Sequence, residues 1–220
     1  MSEEVNFYVK QCKGYGLGNF IMCTPTIITL FNHFKKKIPV YFENDYLFEL
    51  YKDWDCITPH RRNNPPKGKN LLFGSNLRNE KISDWKFIHK TITQKKGIKS
   101  EVIPHTFVPM INDVNETGFV VVIRGCIKGS YWSKHKEIGD PTYKQIITRI
   151  PESLKIILVG NSEDEKRDFN RMVKWRNNIE IVKDDIRKSV SLIKNAKFVI
   201  SNDTGLYHVS GALNKDIFVM

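Results

Sequence analysis

Residues 201–220 read SNDTGLYHVSGALNKDIFVM and follow a strand-like run, Phe198 to Ile200. The apolar strand stops at a small polar cluster, Ser201-Asn202-Asp203-Thr204-Gly205, and a helix with Leu206, Val209 and Leu213 on one face begins at once. A helix that starts beside a strand terminus offers free N–H groups and the positive end of its dipole to an anion, and Gly205 lets that anion approach the backbone closely. A diphosphate fits such a junction. A plainer reading is that Asp203 or Ser201 caps an ordinary helix, because Ser, Asp, Asn and Thr are the usual residues there. The residues by themselves leave both open.

Upstream, strands and helices alternate. Strands are predicted at Phe119 to Ile123, Ile156 to Val159, Ile179 to Val182, Phe198 to Ile200 and Ile217 to Val219, with helices at Thr142 to Ile150, Glu163 to Trp175, Ile186 to Asn195 and Thr204 to Leu213. Regular βα alternation means a parallel sheet covered by helices. The N-terminal half begins the same way: a strand over Asn6 to Gln11, a glycine loop, an apolar helix over Phe20 to Phe34 and a strand over Ile38 to Phe42. A short helix over Tyr46 to Tyr51, a strand over Asn70 to Phe73 and a helix over Trp85 to Thr93 follow. From about Gly97 to Asn115 there are two prolines and little periodicity, which marks a linker. The expected architecture is therefore α/β, with two Rossmann-like domains, residues 1–115 and 116–220, whose parallel sheets face each other across a ligand cleft.

With 220 residues the chain buries a proper core without staples. Its four cysteines, Cys12, Cys23, Cys56 and Cys126, show no CxxC spacing, so neither a zinc site nor a disulfide framework is suggested. No basic segment followed by an apolar one opens the chain, and nowhere do eighteen apolar residues run together, so a cytoplasmic, soluble protein is expected. Lys and Arg number 35 against 24 acidic residues, a net charge of +11 that favours an anionic partner such as a nucleotide, a nucleic acid or a lipid head group. Runs such as Lys35-Lys36-Lys37 are equally what a solvated basic surface contains.

Three clusters follow predicted strands, where α/β domains bind ligands. The first is Gly14, Gly16 and Gly18, in GYGLGN. It matches neither GxGxxG nor a P-loop, yet three glycines suit a tight turn with backbone close to a ligand, or else a flexible connector. The second is RGCIKGSYWSKHKE, residues 124–137, where Arg124, Lys128, Lys134, His135 and Lys136 crowd a strand end in a way that suits a diphosphate. The third, Gly160-Asn161-Ser162-Glu163, offers a carboxylate to ribose hydroxyls, although Ser162 with Glu163 and Glu165 also makes an ordinary helix start.

Taken together these segments resemble one family. GYGLGNFIMCTPTIITL is similar to the GLGDxxxTxPxxxxL start of the heptosyltransferase-like glycosyltransferases, glycosyltransferase family nine with the GT-B fold, and AKFVISNDTGLYHVSGALNKDIFVM is similar to their S-x-D-[ST]-G-x-x-H-x-x-x-A-L-x-x-P segment. The resemblance implies an inverting transferase that moves a sugar from a nucleotide-diphosphate sugar to an acceptor hydroxyl. It implies Lys134 on the donor phosphate, Glu163 on the donor ribose, Asp203, Thr204 and Gly205 around the diphosphate and sugar, and His208 as the family histidine. Gly16, Gly18, Arg124 and Gly160 complete the expected donor site, with Asn19, Lys134 and Asp203 as the expected catalytic positions. No cofactor and no metal is called for beyond the substrate nucleotide sugar. The acceptor, whether a glycan, a lipid-linked glycan or a nucleic acid, is left open, as is peripheral contact with a membrane.

Three departures stand out. The family's loop aspartate, the base for the acceptor hydroxyl, is Asn19, and a carboxamide accepts no proton at neutral pH. Asp216 stands where the family has proline, and the sequence stops at the strand Ile217 to Val219, as a short or truncated version. The amide at Asn19 and the short C-terminus favour a rival reading, a nucleotide or nucleotide-sugar binding protein with reduced turnover. A further rival, on the basic charge, is a glycosyltransferase acting on nucleic acid.

Overall fold

Each half of the chain winds its apolar strands into a parallel sheet. The computed structural model describes residues 7–11, 16–61, 69–73, 89, 93–94, 96–98, 104–124, 138–160, 163–183 and 185–220, with side chains except at 69–73, 163–167 and 183. Two compact units divide the chain, Met1–Pro109 and Met110–Met220.

The first unit runs β1 (Phe7–Gln11), α1 (Leu17–Phe34), β2 (Ile38–Phe42), α2 (Asp45–Tyr51), β3 (Ile57–Arg61) and β4 (Lys69–Phe73). Its four strands are all parallel, in the order β3-β2-β1-β4, with Val9 opposite both Val40 and Leu71. Val9, Ile38 and Val40 are fully buried, and the Phe20 ring of α1 packs against Phe42 and Tyr51 at 5.1 and 4.8 Å.

Helix α1 continues straight through Pro25, which has no N–H to give the Ile21 carbonyl four residues back. The Thr24 hydroxyl donates to that carbonyl instead, at 2.7 Å, and accepts the Phe107 N–H at 2.7 Å, so one buried side chain repairs the helix and ties a distant segment to it. The helix closes at Lys35, whose left-handed backbone (φ 54°) sends its N–H to Phe31 O.

Two differences from the sequence reading concern this unit. Strand β3, ITPHR, was not expected: Pro59 and three polar residues mask the alternation, and the chain admits them because β3 is an edge strand. Helix α1 starts at Leu17 rather than Phe20, so Gly18 and Asn19 belong to its first turn and not to a loop. The expected helix over Trp85 to Thr93 lies mostly outside the described residues, which show His89 and Thr93 helical.

The second unit runs β5 (Phe119–Ile123), α3 (Asp140–Arg149), β6 (Lys155–Gly160) and α4 (Glu163–Met172), which tightens into one 3₁₀ turn, Val173–Trp175. Then come β7 (Ile179–Lys183), α5 (Ile186–Asn195), β8 (Val199–Ser201), α6 (Gly205–Ala212) and β9 (Ile217–Val219). Five parallel strands form one sheet in the order β7-β6-β5-β8-β9. On one face Val120, Val122, Ile156, Leu158 and Ile200 pack with Tyr143 and Ile147 of α3 and Phe169 and Met172 of α4. The alternate residues Val121, Ile123, Ile157 and Val159 are buried as well, the mark of a sheet covered on both faces. The segment read as a linker carries no helix or strand over residues 104–117, yet it is anchored: Val114 receives hydrogen bonds from and gives them to α5, its N–H going to Ser191 Oγ at 2.9 Å and its carbonyl accepting Asn195 Nδ2. Gly118 turns the chain into β5 at φ +82°, a conformation that favours glycine.

Candidate functional site

In an open parallel sheet, ligands bind outside the carboxyl ends of the strands where the strand order reverses. In the second unit the chain runs outward from β5 through β6 to β7, then returns to place β8 on the other side of β5. The reversal therefore falls between β5 and β8, and the segments that leave these strands begin at Arg124 and Asn202.

At the end of β8, Asn202 is buried, Asp203 is exposed and Thr204 occupies the N-cap of α6 in an extended conformation. Its side chain makes no capping bond, and Thr204 Oγ1 is buried without a hydrogen-bond partner. Thr204, rather than Ser201 or Asp203, holds the N-cap position, and Ser201 Oγ is turned to Asn202 O at 2.6 Å. Gly205 opens the helix, and His208 Nε2 lies 3.9 Å from Asp203 Oδ1 with its ring against Tyr207. Asp203, Thr204, Gly205 and His208 thus form one cluster on a strand end and the first turn of a helix.

Arg124 is nine-tenths buried at the end of β5. Its guanidinium touches Asp140 Oδ1 at 2.5 Å, donates to Ile138 O at 3.3 Å and lies over the Tyr143 ring. Arg171 meets the same carboxylate at 3.2 Å. Burial pushes the Asp140 carboxyl up, but the two guanidinium groups outweigh it and hold it below the usual range. The described contacts of Arg124 are thus internal, a brace between β5 and the start of α3. Lys134, with Lys128, His135 and Lys136, lies outside the described residues. Gly160 is buried at the end of β6 and Glu163 is the first residue of α4, its side chain outside the description.

In the first unit the strand order reverses between β1 and β4. Gly14 lies outside the described residues; Gly16 is the N-cap of α1 with ordinary extended backbone (φ −85°), so no left-handed turn demands glycine there. Asn19 sits in the first turn, partly buried. Sequence reasoning missed two residues that shape this end. Gln11, buried at the end of β1, accepts the Glu43 N–H at its Oε1, 3.0 Å away. The Tyr46 hydroxyl accepts the Leu17 N–H and an Asn44 Nδ2 hydrogen at 3.4 Å, and it lies 3.7 Å from where a Gly16 Cβ would stand. It caps α1 in place of a Gly16 side chain. Burial pushes its phenol up, and the Leu17 N–H works against that. Asp45 is paired with Arg61, which also bonds Glu49. No periodicity reports such contacts; a polar residue ending an apolar strand, as at Gln11, is the one sign available.

Among the described residues no three His, Cys, Asp or Glu side chains are grouped to hold a metal ion, and no helix is long and apolar enough to cross a membrane.

Residues 124–218 match the family model of glycosyltransferase family 9 (heptosyltransferase). No curated protein matches the chain. Among solved structures, a glycosyl transferase family 9 protein from Veillonella parvula is similar over 100% of this chain and 81% of its own length, with 10% identity and a TM-score of 0.73. E. coli heptosyltransferase WaaC with ADP is similar over 96% of this chain and 86% of its own, with 13% identity and a TM-score of 0.62. The dodecameric iron-containing heptosyltransferase TibC, in complex with ADP-D-beta-D-heptose, matches 98% of this chain with 12% identity and a TM-score of 0.63, and the chain spans 58% of its length. At these identities the likeness speaks for the fold. The matched segment, residues 124–218, begins directly after β5 and includes the Asp203-Thr204-Gly205 turn, and over that segment the chain is similar to glycosyltransferase family 9.

Proposed function

We propose that the protein is an inverting glycosyltransferase whose second unit binds a nucleotide-diphosphate sugar and whose first unit binds the acceptor hydroxyl. The observation that carries this reading is Thr204 Oγ1, buried and without a partner at the N-terminus of α6. A buried hydroxyl left unmet costs about 1–3 kcal/mol, and a phosphate oxygen bound there removes the cost. The free N–H groups of the first turn and the helix dipole favour the same charge. Lys134, Glu163 and Gly160 are assigned to the phosphate and the ribose on the family pattern; Asp203, Gly205 and His208 line the turn, and Arg124 acts as a brace.

In the reaction the acceptor oxygen attacks the anomeric carbon from the face opposite the diphosphate. The carbon–oxygen bond to phosphate breaks, and its electron pair leaves with the nucleoside diphosphate. Lys134 and the backbone at Thr204 and Gly205 stabilise that developing charge, the kind of fixed electrostatic help that contributes most to many catalysts. No cofactor enters this scheme. Structures of heptosyltransferases with ADP and ADP-heptose make ADP the first nucleotide to test.

Calorimetry with ADP tests the site. Thr204→Val should weaken ADP binding about 2- to 10-fold and Lys134→Ala or Asp203→Ala about 10- to 100-fold, from one neutral or one charged contact. Wild-type protein that binds no ADP, or three variants with unchanged affinity, overturns the assignment. Asn19 in place of the family aspartate favours a second reading, a donor-binding protein without turnover. Release of ADP from a nucleotide sugar by the wild type rejects it.

A further inference from the structure

We propose that Glu43 is the general base, standing in for the carboxylate that Asn19 lacks; the inference rests on the transferase reading. Asn19 is the third residue of α1, at the carboxyl end of the first sheet. Glu43 follows directly on β2, the neighbour of β1 in that sheet, and is partly buried. Two contacts fix its turn against the start of α1. Gln11 Oε1, itself 2% exposed, takes the Glu43 N–H at 3.0 Å, which ties the turn to the end of β1. Tyr46, three residues on, caps Leu17 with its hydroxyl, which ties the turn to the N-terminus of α1. Asp45, the other carboxylate of the turn, is 84% exposed at its side chain and paired with Arg61. Residues 11, 16–19 and 43–46 thus bring one amide, Asn19, and one carboxylate, Glu43, to the same end of the sheet.

In the proposed step the acceptor O–H proton passes to a Glu43 carboxylate oxygen as the acceptor oxygen bonds to the anomeric carbon, while the sugar–phosphate bond breaks and the nucleoside diphosphate departs with its electron pair. Asn19 orients the acceptor through its amide and takes no proton. Water serves as the acceptor when no other is supplied.

The test uses the full chain with a panel of nucleotide sugars that includes ADP-heptose, and follows release of nucleoside diphosphate to water alongside calorimetry with ADP. Glu43→Gln should lower the release rate about a hundredfold or more, within the range of general-base catalysis, with ADP affinity unchanged. Asp45→Asn should stay within about threefold, as a surface pair predicts. Asn19→Asp placed in the Glu43→Gln chain should restore release by about tenfold or more, because it returns a carboxylate to the adjoining turn. A Glu43→Gln rate within threefold of wild type, or no recovery on adding Asn19→Asp, overturns the proposal. Wild type that binds ADP but releases no nucleotide from any sugar also overturns it and leaves the donor site standing, whereas wild type that binds no ADP overturns the donor site itself.

Discussion

Replacing Thr24 by Val keeps the shape of the side chain and removes a hydroxyl that serves two backbone groups. Thr24 is fully buried; its Oγ donates to Ile21 O, which Pro25 has deprived of its helical partner, and accepts the Phe107 N–H. The valine leaves both groups unmet. At about 1–3 kcal/mol for a buried polar group without a partner, and less for the half-buried Phe107, the sum is about 2–4 kcal/mol after the added methyl recovers about 1 kcal/mol. Pro25→Ala supplies the missing N–H, so Thr24→Val in that background should cost about 1–2 kcal/mol less, a coupling between neighbours that a double-mutant cycle reads directly. Urea unfolding of the four proteins, with hydrogen exchange at the α1 amides to report on the first unit, gives the four stabilities. Equal costs of Thr24→Val in both backgrounds would show that the hydroxyl is not repairing the proline gap.

Stability should also depend on pH through two groups. Burial holds His89 below its ordinary value, so the fold prefers the neutral ring; stability is full above about pH 6.5 and declines as pH falls below it, and His89→Leu should remove that component of a thermal-melt profile. Asp140 is held below its ordinary value, so its contribution is present above about pH 4 and is lost as pH falls through the lower folded value, a limb that Asp140→Asn should abolish. The same variant leaves Arg124 nearly buried with its carboxylate partner gone, and a loss of about 2–4 kcal/mol is expected at neutral pH by urea titration. Lys35→Gly should stabilise by about 0.5–1 kcal/mol, because the residue closes α1 at φ 54° where glycine carries no side-chain penalty, and a lowered Tm would contradict this.

The second unit was legible because its strands alternate with helices at short spacing and are apolar throughout, as β5 (FVVVI) and β6 (KIILVG) are. Central strands buried on both faces declare themselves by composition. Strand β3 did not, because an edge strand tolerates Pro59 and exposed polar residues that erase the pattern. The start of α1 was misplaced for a related reason: Gly16 and Gly18 read as loop, whereas the tertiary cap from Tyr46 allows the helix to begin between them. What a sequence states through residue type survives such contexts, as at Asp203-Thr204-Gly205. What depends on which segments meet, as with Arg124 and Asp140 or Gln11 and Glu43, does not.

Under the proposed function, the two units divide the chemistry according to what their strand ends can hold. At β8 the groups assigned to the donor in the proposal are backbone N–H, the Thr204 hydroxyl and Gly205, which can hold charge without changing protonation state. At β1 and β2 the groups are Asn19, Gln11, Tyr46 and Glu43, of which Glu43 is the one carboxylate. An aspartate on α1 would place the base on the helix that follows β1. With an amide there, that duty moves one strand across the sheet, to a turn that Gln11 and Tyr46 hold against the same helix end. The fold permits the proposed exchange because parallel neighbours deliver their carboxyl ends to a common edge, so the turns after β1 and β2 open on the same side of the sheet.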